Sequence, residues 1–375
     1  MSAPQRDRIE PDLEGLAAFV AGDPRLEAVR AVGSGVEVYL VGGSVRDLLM
    51  GLTPADLDLA IEGDPSTLVE RLDPEATEHY RFGTARLNLQ GGQVDLAATR
   101  RETYPRPGAL PEVEPAGLEA DLARRDFTVN AIAVPLSRPG DLIDPFDGLS
   151  ALAERRLTLL RPDSFTDDPL RALRGARYAA RFDFRPDDQM SLLLKEVDLG
   201  SVSDDRLDAE LSRLADEARP DAALDLARQW GLVEIDPGLV DRIAGARELL
   251  GREPWVGFCT VAEVARTALE DGDRVRAIPD LPPRDRIEQF ELLERLEPGA
   301  IVLARAGGLE WLDWWAEFGA GATLDIDGDA LIKAGIEPGP RGGAGLRAAL
   351  AELLETGESD RDRQLETAVA AARER

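Results

Sequence analysis

The chain is poor in the residues from which many active sites are built: among 375 residues there is one cysteine, Cys259, one histidine, His79, and only two lysines, Lys195 and Lys333. A single cysteine excludes an internal disulfide and any zinc site built on cysteines. A single histidine excludes His-rich metal centres and leaves little scope for a Ser-His-Asp triad. No run of about 18 apolar residues occurs, so a membrane span is not expected. The stretch from Met1 to Pro11 is polar and charged, so neither is a secretory leader, and a cytoplasmic location is the expectation.

What the chain does contain is arginine and acid. Of its 44 basic residues 42 are Arg, against 72 Asp and Glu, for a net charge of −28. So negative a total argues against a nucleic-acid partner, because phosphate contacts carry much of such affinity. The charge is unevenly spread, however: from Leu122 to Arg185 there are 11 Arg against 9 carboxylates. Arginine is also the cation suited to forked phosphate contacts.

Apolar residues recur at helical spacing over Glu10–Val32, and Val36–Val41 reads as a short buried strand followed by a helix over Ser44–Met50. Leu57–Ile61 reads as a second strand. Ala85–Gln90 and Val94–Ala98 flank Gly91-Gly92, a two-residue hairpin turn. From Asp167 onward strand signals thin out, and Leu170, Leu173, Ala176 and Ala180 mark an amphipathic helix. The remainder reads as helical, punctuated by Pro220, Pro237, Pro254, Pro279 and Pro282-Pro283.

Several constellations carry chemistry. Gly42-Gly43-Ser44-Val45-Arg46-Asp47 joins a strand to a helix. Its glycines allow close approach of a phosphate, the helix start offers N–H groups, and Arg46 offers a fork. The same letters equally fit a glycine turn with a solvated Arg46–Asp47 pair. Asp56 and Asp58 share one face of a strand, a hard-oxygen site suited to Mg²⁺, or else simply the polar face of a half-buried strand. Asp95, between Val94 and Leu96, is a third candidate ligand or an ordinary surface aspartate. Arg124-Arg125-Asp126 precedes an apolar run. Asp167-Asp168-Pro169 opens a helix on which Arg171, Arg174, Arg177 and Arg181 form a basic stripe. Asp168 reads either as a helix N-cap or, with Arg171, as a pair able to hydrogen-bond a nucleotide base edge.

The order GGSVRD, DLD, RRDFTVNA, DDPLRALRGARYAARF resembles the class II tRNA nucleotidyltransferase and poly(A) polymerase family of the DNA polymerase beta superfamily. The segments Arg100–Tyr104 with Pro107–Pro111, and Leu324–Leu354, are similar to further parts of that family. The resemblance implies an α+β protein. Its mixed α/β, polymerase-beta-like nucleotidyltransferase head (30–150) follows an N-terminal helical segment (1–29) and precedes an all-helical neck (151–235) and body and tail (236–375). It implies Asp56 and Asp58 as catalytic Mg²⁺ ligands, Gly43, Arg46 and Arg125 at the nucleotide's phosphates, and Asp168 and Arg171 as readers of CTP or ATP, with Arg174 and Arg177 beside them. The implied reaction adds CMP and AMP to the tRNA 3′ end, as CCA, A-only, CC-only or poly(A) addition. Where the family motif usually opens with Glu, this chain has Asp167, a shorter arm holding the recognition helix.

Overall fold

The computed structural model describes residues 8–32, 35–54, 56–73, 76–79, 83–270 and 275–374. They divide into two compact units, one formed by residues up to 214 together with 226–233, the other by 215–225 and 234 onward.

The first unit is built on a six-stranded mixed sheet. Helices α1 (Leu13–Gly22) and α2 (Pro24–Val32) fill the predicted helical stretch, interrupted where the Asp23 carboxylate turns back onto the Arg25 and Leu26 amides. Strand β1 (Val38–Val41) is buried throughout and runs antiparallel to β2 (Leu57–Ile61), with Val38 facing Ile61. Between them lies α3 (Gly43–Leu49), which starts at Gly42 with φ +70, a conformation that glycine tolerates without strain. Helix α4 (Ser66–Leu72) and strand β3 (Thr77–His79) lead to the hairpin β4 (Thr84–Leu89) and β5 (Gly92–Ala98), which turns through Gln90-Gly91, one residue earlier than expected, because Gly92 pairs with Leu89. A second hairpin, β6 (Arg100–Thr103) with β7 (Glu112–Pro115), precedes α5 (Leu118–Ala123) and β8 (Ala133–Pro135). The sheet order is β3-β4-β5-β2-β1-β8, with β2 and β5 parallel and the other neighbours antiparallel.

Period-two alternation gives this sheet two different faces. Leu57, Leu59, Ile61, Val94 and Leu96 turn to one side and are fully buried. On the other side Tyr39, Val41 and Ala60 pack under Leu118 and Leu122 of α5. Asp58, the second residue of β2, is on the same face as Ala60 and comes out beside the end of α5.

Helices α6 (Gly148–Ala153) and α7 (Ser164–Asp167), with the short strand β9 (Arg156–Leu157) between them, lead to α8 (Leu170–Phe182), the predicted amphipathic helix. Its Ala172, Leu173 and Ala176 are buried while the arginine stripe flanks them. After the short strand β10 (Arg185–Pro186) and helix α9 (Asp188–Leu193) comes α10 (Asp204–Ala215), which returns Arg206 and Glu210 toward α8.

The second unit is helical. Proline opens helices at Pro237–Leu249, Pro298–Ala306 and Pro340–Thr356, at the position where its missing N–H costs nothing. Leu312 and Trp315 are buried in its core. Gly345 lets Pro340–Thr356 and Arg361–Arg373 pack closely, since a Cβ there would lie 2.4 Å from the Ala368 carbonyl oxygen. Asp327 caps the helix Gly328–Lys333 by accepting from the Ala330 amide. No helix among the described residues is long and apolar enough to cross a membrane.

Candidate active site

A cavity of about 510 Å³ opens where β2, α3, the 124–130 segment and α8 converge. Gly43, Arg46, Asp58, Arg125, Asp168, Arg171, Arg174 and Arg177 all line it, though they lie up to 134 positions apart in the chain. Of the predicted site residues, Asp56 and Asp95 are not in its wall. Asp56 lies exposed just ahead of β2 rather than on the strand, and Asp95 lines a neighbouring cavity that shares Asp58 and Arg125.

Asp58 is held from its backbone: Ser44, at the start of α3, accepts from the Asp58 amide at 2.9 Å and donates to the Asp56 carbonyl at 3.2 Å. The glycine turn and the acidic strand are thereby one structure. Burial pushes the Asp58 carboxyl above its ordinary range and the nearby Asp95 and Asp56 push the same way, against the opposing pull of Arg125 and Arg46. Crowded carboxylates that resist ionisation are what a divalent cation relieves, and their oxygens are the ligands such a cation prefers. The Asp58 carboxylate fits that role, and the exposed Asp56 lies two residues before it. Among the described residues no cluster of three or more His, Cys, Asp or Glu side chains forms a fuller cage. Asp95 is occupied otherwise, accepting from Arg86 through both oxygens at 2.8 and 3.0 Å.

The arginines are positioned rather than loose. Arg46 donates to Asp47 at 2.6 Å and Asn130 at 2.7 Å, with its guanidinium 4.5 Å from the centre of the Phe182 ring. It is therefore not a solvated surface cation. Arg125 donates to Asp121 at 3.1 Å, and a Cβ on Gly42 would come within 2.5 Å of its Nη1, so the glycine makes room for that guanidinium. Arg174 donates to Asp168 and approaches Asp126. Burial would raise the Asp126 carboxyl, yet Arg174, the Asn130 amide and Arg171 hold it below the usual range.

Asp168 does not cap α8: its carboxylate accepts from Arg174 at 2.5 Å and Arg206 at 3.0 Å, while Pro169 occupies the cap position with no side-chain bond. Arg171, 3% exposed, donates to Ser164 Oγ, to the Arg124 and Arg125 carbonyls and, at 3.3 Å, to the Tyr104 hydroxyl. Tyr104 in turn donates to Glu102, which also accepts from Arg100 and Arg124. Burial opposes the Glu102 charge, but Arg124 and Arg100 keep its carboxyl below the usual range. Sequence reasoning passed over Arg206, Glu102 and Tyr104 as site residues. Arg206 sits in an acidic helical run with no local signal, and its partners lie 38 and 98 residues away.

Chemically, the cavity offers guanidinium groups for phosphate oxygens, the Asp58 carboxylate in its wall, and the buried Asp168 and Arg171 with polar edges. That is the equipment for binding a nucleoside triphosphate and transferring a phosphoryl-linked group. Residues 38–158 match the poly A polymerase head domain. The CC-adding tRNA nucleotidyltransferase of Deinococcus radiodurans is 35% identical over 88% of this chain and 87% of its own. An A-adding tRNA nucleotidyltransferase of Halalkalibacterium halodurans is 37% identical over 65% of this chain and 61% of its own. In structure, the Thermotoga maritima CCA-adding enzyme complexed with tRNA superposes with a TM-score of 0.72 at 25% identity, over 96% of this chain and 98% of that one. The mixed α/β head and the helical remainder agree with these relatives, and the chain belongs to the class II tRNA nucleotidyltransferase family, whose head it shares with poly(A) polymerases.

Proposed function

We propose that this protein extends the 3′ end of tRNA without a nucleic-acid template, adding CMP and AMP from CTP and ATP and releasing pyrophosphate. The observation that carries the reading is the convergence of Asp58, Arg46, Arg125, Asp168, Arg171, Arg174 and Arg177 on one cavity. Arg46, Arg125 and the Gly43 backbone hold the triphosphate. Asp168 and Arg171 select the base, the carboxylate accepting from an exocyclic amine and the guanidinium donating to ring acceptors. In the present state both are engaged by protein partners. The 3.3 Å contact of Arg171 with Tyr104 is among the longest of these and the readiest to be exchanged for a base. Arg174 and Arg177 steady Asp168 and the phosphates.

Asp56 and Asp58 are the catalytic carboxylates and hold divalent ions, Mg²⁺ by preference; these, when bound, make the attacking hydroxyl more acidic and neutralise the triphosphate. The chain's own part is positioning and charge stabilisation, with no covalent intermediate. The head (about 30–150) then carries the chemistry, the neck (151–235) the choice of nucleotide, and the body and tail (236–375) the grip on tRNA.

A narrower scope, CC addition alone, is favoured by one feature. On the reading that freedom of the loop around Arg100–Pro115 separates the two activities, its fastening counts toward CC addition: Arg206 donates to the Gly108 carbonyl at 2.7 Å and the Gly108 amide to the Asp167 carbonyl at 3.2 Å. The decisive measurement offers tRNAs ending at the discriminator, C or CC, with Mg²⁺ and CTP, ATP or both, and reads products at single-nucleotide resolution. Growth that stops at CCA, abolished in Asp58→Ala, is expected. Products that stop at CC select the narrower scope. No incorporation on any of these RNAs refutes the reading.

A further inference from the structure

A cavity of about 640 Å³ lies between strand β6, helix α5 and the segments that carry Phe146 and Arg161, within the range of about 300–1,000 Å³ typical of pockets that take small organic ligands. Arg101, Arg124 and Arg161 line it, with Phe146 and the small side chains of Ala120 and Ala123 as its apolar part. Two of these arginines have donors to spare. The exposed Arg101 side chain makes no hydrogen bond or ion pair among the described residues, although Glu114 stands opposite it on β7. Arg161 donates to Asp167 at 2.6 Å, but its Nε is buried without a hydrogen-bond partner, with Asp163 3.7 Å away. Of the two carboxylates in the wall, Glu102 is already neutralised by Arg100 and Arg124, and Glu119 is exposed to solvent. Guanidinium groups with unused donors beside a ring and two alanines suit an anion that carries a flat apolar group.

This cavity is joined to the nucleotide cavity through shared residues, since Glu102 and Arg124 stand in both walls. The Arg124 guanidinium donates to Glu102 at 2.8 Å and to Asp121 at 2.9 and 2.8 Å. Its carbonyl accepts from Arg171 at 2.8 Å, and Glu102 accepts from Tyr104, whose hydroxyl in turn accepts from Arg171. A ligand that draws the Arg124 guanidinium toward itself therefore acts on Arg171 by two routes. We propose that the cavity is an effector site for a nucleoside monophosphate, with the phosphate on Arg101 and Arg161 and the base against Phe146, and that its occupation draws Arg124 off Glu102 and loosens the hold of the nucleotide cavity on CTP. Asp121 keeps Arg124 compensated and Arg100 keeps Glu102 compensated, so the exchange strands no buried charge. The effect on CTP rests on the reading of the protein as a nucleotide-adding enzyme, whereas the binding site itself does not.

Equilibrium dialysis of radiolabelled AMP against the full chain tests the site without any need for activity. Arg101→Glu, an exposed position outside the nucleotide cavity, is expected to weaken AMP binding about tenfold or more, since it loses one charged contact and adds a repulsive one. Phe146→Leu, which keeps apolar packing but not the ring, should weaken it several-fold. Inorganic phosphate that displaces AMP at equal concentration would overturn the assignment to a nucleoside. The coupling is read from KM for CTP during tRNA extension. AMP should raise KM in the wild type about fivefold and then level off, as coupling between two separate sites does, whereas a competitor for the nucleotide cavity raises it without limit. In Arg101→Glu, KM without AMP should match the wild type, and about tenfold more AMP should be needed for the same rise. AMP binding equal in the wild type and Arg101→Glu overturns the proposal, as does a KM that climbs without levelling and alike in both. A wild type that binds AMP through Arg101 yet extends no RNA supports the site and refutes instead the reading of the protein as a nucleotide-adding enzyme.

Discussion

The buried charges beneath the candidate site determine both its shape and its acid sensitivity. Asp126 is buried at the cavity wall, accepts from the Phe127 amide and from Asn130, and faces Arg174. Its carboxyl lies below the ordinary value of 3.8 because Arg174 and these hydrogen bonds outweigh burial. A depressed folded-state pKa means that the stabilisation is present above the unfolded value and is lost as pH falls through the folded one. Wild-type stability should therefore decline below about pH 4, and part of that slope should vanish in Asp126→Ala. Removing the carboxylate leaves the Phe127 amide and the Asn130 side chain without their acceptor, while Arg174 keeps Asp168, a defect of about 1–3 kcal/mol. Urea unfolding at pH 7 and pH 3.5 checks both statements, and a variant with wild-type midpoints at both would contradict them.

Helix α8 is the element on which the site turns, and α10 is what holds it. One guanidinium, Arg206, joins Asp168 at the start of α8 to the Gly108 carbonyl of the 104–111 segment. Gly108 has φ +69 and packs so closely that a Cβ would lie 2.5 Å from the Ser201 carbonyl oxygen. Arg206→Ala should free the segment while leaving the helices intact. Amide hydrogen exchange at Gly108 and Ala109 should speed up several-fold, and the ratio of CTP to ATP use should shift more than total turnover. Exchange unaltered by that substitution would mean the segment is held by packing alone. Gly108→Ala should act in the same direction more strongly, because it combines a strained backbone angle with a clash.

On the scale of the whole molecule, the acid excess and the arginine cavity are separate facts. The net charge of −28 is a property of the total, whereas the cavity wall carries Arg46, Arg100, Arg124, Arg125, Arg171 and Arg174 among its lining. RNA affinity should fall linearly in a log–log plot against salt despite the negative total, since local phosphate contacts set the slope. Binding that strengthens with salt would place the RNA away from these arginines.

Much of this was legible in the residues themselves. The strand at Leu57–Ile61, a hairpin turn at the glycine pair, though one residue earlier at Gln90-Gly91, and the amphipathic helix from Leu170 are written in local periodicity and turn chemistry, which depend only on near neighbours in sequence. The four ordered motifs marked the family. Asp56 was misplaced by that logic: period two put it on the strand, but β2 begins one residue later. Strands β3, β6, β7 and β8 were not anticipated because they are three or four residues long, too short for alternation to show. Sequence alone determined the chemistry of the side chains and their local carriers. Only the tertiary structure decided their partners: that Asp168 is gripped by Arg206 rather than capping its helix, that Asp95 answers to Arg86, and that Asp58 divides two cavities. Such pairings join residues 9 to 98 positions apart, and no local pattern records which distant strand or helix will arrive beside them.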